Sequence, residues 1–134
     1  MKQILAIPIV MTCVLGAVDL RAQVISVPYD TFMRLDDNER LQKFQELTPA
    51  NRAAVVQEHV IRWRHVYADR LTPEQDQLLA DIAQFIRPEF YDGSRHSDEF
   101  IAAFSAIERR ISKAFTTDEA RNAFTIHGPY LPPQ

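Results

Sequence analysis

A chain of 134 residues with 15 basic and 18 acidic side chains, a net charge of −3 and 46% hydrophobic content fits one domain with a modest core. Its one cysteine and three glycines exclude a disulfide framework, a thiolate metal site and a glycine-rich phosphate loop. The acidic balance argues against nucleic acid or an anionic lipid surface as a partner.

Met1-Lys2-Gln3 is a basic tip, residues 4–18 are apolar apart from Thr12, and Ala22 is a small residue ahead of a polar stretch. This is the build of a secretory signal peptide, expected over residues 1–22, with Ala17 as a second point of cleavage. The apolar run is shorter than the roughly 20 residues of a bilayer span and holds Pro8, so no membrane contact is expected after cleavage. Cleavage takes away Cys13 together with Lys2, Asp19 and Arg21, leaving a cysteine-free chain one charge more negative. The mature protein is expected in the periplasm or outside the cell.

From residue 23 the pattern reads as helix after helix. Pro28-Tyr29-Asp30 opens a short amphipathic piece with Phe32, Met33 and Leu35 as its apolar residues. Asp36 with Glu39 is a capping-box pattern ahead of Leu41, Phe44 and Leu47 at helical spacing. Thr48-Pro49 supplies an N-cap and a proline at the first helical position. The helix it opens is the longest, with Ala53, Val56, Val60, Trp63 and Tyr67 in one core stripe. Val55, Ile61 and Val66 lie off that stripe, which predicts packing on more than one side.

Thr72-Pro73-Glu74-Gln75 repeats the start signal with the reciprocal glutamine of a full box, and Leu78, Leu79, Ile82, Phe85 and Ile86 follow until Pro88. Residues 87–97 form the longest polar connection and the best candidate for a mobile loop, with Phe90 and Tyr91 expected to pin it to the core. Ser97 caps a helix whose Phe100, Phe104, Ile107, Ile111 and Phe115 are expected to form a buried stripe. Arg109, Arg110 and Lys113 favour its C-terminal dipole. A last helix starts near Thr117 and stops at His127-Gly128-Pro129, where Gly128 suits a left-handed cap. No segment alternates as a strand does. The expected fold is all-α: a single small domain of about five helices in an irregular bundle over residues 23–128, then a proline-rich tail over 129–134.

The densest polar constellation is Glu58-His59, Arg62, Arg64-His65 and Asp69 around Trp63. Helical spacing puts Glu58, Arg62, His65 and Asp69 on roughly one face, where steps of three and four let side chains meet. Two readings stand: a proton-relay, anion-binding or partner-gripping surface, or a solvated face laced with ion pairs over an inward-turned Trp63. His59 stands four residues from Trp63 and is read as packing beside the indole. His96 lies near Asp92, Asp98 and Glu99, but the segment lacks the ordered carboxylates of an EF-hand, and no two histidines share a metal-pair spacing. No serine has a nucleophile-elbow context. The expectation is therefore a binding protein rather than an enzyme, without cofactor or metal, with a protein as its partner. Glu58, His59, Arg62, His65, Asp69, Tyr91 and His96 are its candidate partner-binding residues.

The order of features from Tyr29 to Tyr130 carries a family resemblance. A Leu-Thr-Pro helix containing Trp63 is followed by Leu71-Thr72-Pro73-Glu74-Gln75, Pro88-Glu89-Phe90-Tyr91 and the segment Ala120 to Tyr130. This resembles the helical portion of the secreted bacterial proteins called bacteriocin fulvocin C-related. Members of that family continue into a cysteine-rich tail, which this chain lacks. The resemblance implies a bacteriocin-related or immunity-type setting and carries over no catalytic residue. Leu71-Thr72-Pro73-Glu74-Gln75 is also similar to the Leu-Thr-x-x-Gln motif of periplasmic chaperones of the Spy/CpxP type. That resemblance implies an envelope-stress or client-binding role.

Overall fold

The computed structural model describes residues 29–126 and 128–133. The expected signal peptide, its cleavage points and Cys13 lie outside the described residues. Among the described residues six α-helices follow one another: α1 (Tyr29–Met33), α2 (Asp37–Glu46), α3 (Pro49–Val66), α4 (Pro73–Phe85), α5 (Asp98–Ala114) and α6 (Thr117–Phe124). Short 3-10 turns occupy Ala68–Arg70 and Pro88–Phe90, and no strand occurs among the described residues. The fold is all-α, with the short α1 making the difference from about five helices.

Helix starts are local events. Asp36, Thr48, Thr72, Ser97 and Thr116 each accept the backbone N–H three residues ahead, and Thr72–Gln75 and Thr116–Glu119 are complete capping boxes. The helix ends are closed from far away. Arg52 of α3 donates to the Phe44 and Gln45 carbonyls at the end of α2. Gln57 donates to Ala83 near the end of α4, and Gln75 donates to Ala114 at the end of α5. Because the last carbonyls of a helix lack intrahelical partners, these bonds stitch each helix to another while satisfying it.

The core has two lobes with α3 between them. One holds Val60, Trp63, Leu78, Leu79, Ile82, Phe115, Ala123 and Leu131. The other holds Tyr29, Phe32, Met33, Val55, Val56 and Ile126. Helix α3 touches α1, α4, α6 and the 88–90 turn, which explains why both Val55 and Val56 are buried. Ile61, by contrast, is exposed. Trp63 turns inward at 7% exposure, edge-on to Phe115 and beside Tyr67.

Helix α5 departs from expectation. None of its seventeen residues is buried. Ile107 and Ile111 pack against the core, Phe100 is half-buried, and Ile101 and Phe104 stand 52% and 36% exposed. Only Phe115, the residue after the helix, is buried as expected. The cause is position: α5 packs chiefly on α4, so one flank of a strongly amphipathic helix is left uncovered by the described residues.

A local correction concerns the glycines, while the 87–97 connection is pinned by Phe90 and Tyr91 as expected. Gly93, not Gly128, is the glycine recorded with a positive φ, at 77°, in a turn where Ser94 N–H donates to Asp92. At Gly128 the requirement is closeness, since a Cβ would overlap the Asn122 carbonyl. The 87–97 connection is held by aromatic contacts: Phe90 meets Phe85 and Phe100, and Tyr91 meets Phe44 edge-on at 5.8 Å.

Candidate functional site

Tyr29 and Asp30 are the first two residues of α1, and Glu58, His59 and Arg62 fall on adjoining faces of α3. The packing of α1 on α3 brings these five together, and the segment after α6 crosses them. His59 is fully buried. Its Nε2 lies 2.7 Å from the Asn122 carbonyl near the end of α6, and its Nδ1 lies 2.5 Å from the Tyr29 hydroxyl.

Chemistry fixes the proton positions. A carbonyl only accepts, so Nε2 carries the hydrogen and Nδ1 offers a lone pair, to which Tyr29 donates. Burial pushes the His59 pKa down, and the Arg40 charge adds to that. Burial pushes Tyr29 up to about 12, while the Leu131 backbone N–H and the Arg62 cation pull the other way. Both groups are neutral near pH 7, and both nitrogens of His59 are engaged. The His59 ring also meets the Tyr29 ring, at 5.8 Å.

Arg62 gathers the charges. Its Nε donates to Glu58 at 2.7 Å and its Nη1 to Asp30 at 2.9 Å, with the Leu131 carbonyl at 3.4 Å. The guanidinium lies over the Tyr29 ring at 4.6 Å. Burial opposes this cation, but Glu58 and Asp30 outweigh that and hold its pKa above the usual arginine value. Below, Arg40 is 8% exposed and donates to the Met33, Leu35 and Ile126 carbonyls at 2.9, 3.0 and 2.7 Å.

The seven candidate residues thus separate. Glu58, His59 and Arg62 meet at this junction, joined by Tyr29, Asp30, Arg40, Tyr130 and Leu131, which the sequence reading did not single out. His65 is exposed, and Asp69 lies past the end of α3 in the 68–70 turn, also exposed, so the expected four-residue face is not continuous. Tyr91 and His96 belong to the aromatic cluster at α5, where the His96 ring stacks on Phe100 at 4.3 Å.

That cluster frames a second feature. Phe85, Phe90, Tyr91, Phe104 and Phe124 help line an almost wholly apolar hollow of about 200 Å³ beneath α5. Ile101 and Phe104 continue its apolar character onto the exposed flank. Asp98 and Glu99 at one end of α5, and Arg109 and Lys113 at the other, make no ion pair with the described residues, while Arg110 is paired with Asp81. Among the described residues no three His, Cys, Asp or Glu side chains are placed to hold a metal ion. No described helix is long and apolar enough to cross a membrane. No protein-family model, curated protein or solved structure matches this chain.

Proposed function

We propose that this chain is an exported helical domain that acts by binding a protein partner through the outer flank of α5, in a bacteriocin-related or immunity-type setting. The observation that carries the binding surface is the exposure of Ile101 and Phe104 on a helix with no buried residue. Apolar side chains grouped on one exposed flank are what a helix-binding surface offers. The export step rests on the N-terminal pattern, and the setting rests on the resemblance of the helical order.

The same exposed flank favours a second reading, a chaperone that holds unfolded clients. One experiment separates them. The full chain and an Ile101→Asp/Phe104→Asp variant serve as bait in envelope extracts, and both are assayed for suppression of aggregation of unfolded clients. A discrete stoichiometric partner lost in the variant supports the first reading. Aggregation suppression lost in the variant supports the second. Identical behaviour of parent and variant in both assays removes α5 as the working surface.

A further inference from the structure

The tail after α6 makes no helix of its own, yet it is held group by group. Leu131 is buried at 3% among the Val60 and Trp63 lobe. Its backbone carbonyl accepts from Arg62 at 3.4 Å. The neighbouring Tyr130 ring stacks on Tyr29 at 6.2 Å, and its hydroxyl donates to Asp30 at 3.2 Å. Arg34 donates to the same hydroxyl and lies over the ring. Pro129, Pro132 and Pro133 flank this pair.

These are the features of peptide recognition rather than of ordinary loop packing. The backbone carbonyl of Leu131 is met by a side chain of another element, its side chain fills an apolar site, and an aromatic neighbour is read by ring and hydroxyl. The flanking prolines restrict the segment before it docks, which lowers the entropy lost on docking, as in the binding of proline-rich segments to aromatic grooves.

We propose that the cleft between α1 and α3, walled by Tyr29, Asp30 and Arg62, is a binding site for extended Tyr-Leu-Pro peptide segments, with residues 128–133 as its resident ligand. A segment of the same chemistry from another chain competes with the tail. The tail holds the cleft at the millimolar effective concentration of a short tether, so an incoming segment gains entry when the tail is weakened or the competitor is itself concentrated. This site is separate from the α5 flank and stands whether or not that surface binds a protein.

The test uses the full chain carrying Leu131→Ala, which weakens the tail and leaves the cleft intact. A fluorescein-labelled Gly-Pro-Tyr-Leu-Pro-Pro peptide is titrated into parent and variant, with circular dichroism and melting followed in parallel. The expected result is saturable binding to the variant at least tenfold tighter than to the parent. It is accompanied by a rise in the variant's melting temperature with peptide concentration. The same peptide with alanine for leucine is expected to bind at least tenfold more weakly, and adding Arg62→Met to the variant should weaken binding of the original peptide. A folded variant that does not bind the peptide up to millimolar concentration overturns the proposal. So does an unfolded variant whose helicity the peptide cannot restore, because the tail is then an inseparable part of the core. Equal binding of the alanine peptide overturns it as well.

Discussion

Tyr29 donates its hydroxyl hydrogen to Nδ1 of His59 across 2.5 Å, joining the first residue of α1 to the middle of α3. The opposite nitrogen of His59 closes the Asn122 carbonyl of α6 at 2.7 Å. One neutral imidazole thus ties three helices, and its protonation would turn Nδ1 from acceptor to donor and break the hydrogen bond that Tyr29 donates.

This sets a pH dependence. The folded His59 pKa lies below its ordinary value of 6.5, so between the two values the unfolded chain binds a proton that the folded chain does not. Stability is full above the unfolded pKa and falls as pH drops below about 6.5, with a slope of at most about 1.4 kcal/mol per pH unit from this group. His59→Gln, which offers one donor and one acceptor, should flatten the stability curve between pH 6.5 and 5 in urea titrations. The carboxylates of Asp76 and Asp81, held low by hydrogen bonds from Arg64 and Gln77 respectively, contribute stability that is lost only at lower pH. An unchanged slope in the variant would show that His59 is not the titrating group.

Tyr29→Phe keeps the ring and removes the donor, leaving Nδ1 of a fully buried imidazole unsatisfied. The expected loss is roughly 1–3 kcal/mol, measured by chemical denaturation at pH 7.5. A loss below about 0.5 kcal/mol would mean that water or another donor replaces the hydroxyl.

Trp63→Ala removes a large ring buried against Phe115 and Tyr67. A cost of roughly 3–5 kcal/mol is expected, comparable to the whole stability of a small domain. A melting temperature equal to that of the parent would place Trp63 outside the cooperative core.

Arg40→Met keeps most of the stem and removes the donors to Met33, Leu35 and Ile126. Those carbonyls close α1 and the segment after α6, so a loss of roughly 1.5–3 kcal/mol is expected. Hydrogen exchange should rise first in α1 and near Ile126. Uniform exchange across all helices would contradict this local role.

The two ends of each helix explain what the sequence disclosed. Thr48, Thr72 and Ser97 bond three residues ahead, so their role is written within one turn of chain. The closing groups at the other ends, Arg52, Gln57, Gln75 and His59, reach partners 7 to 63 residues away, and no local pattern pairs them. The burial of His59 did leave a trace, since it stands at helical spacing with Val55, Val56 and Trp63. Tyr130 and Leu131 left none, because the site they fill is made by Tyr29 and Arg62, roughly 70 to 100 residues earlier. The exposed flank of α5 differs from expectation for another reason: amphipathic spacing says that a helix has an apolar face and not whether the fold covers it.

The central functional claim is that the exposed flank of α5 meets a protein partner. A photo-crosslinking residue placed at Ile101, with a control at the exposed Asp118 of α6, tests it in the producing cell. The account predicts a discrete crosslinked species from position 101 that is absent from position 118. The same crosslinks from both positions, or none from position 101, would contradict it.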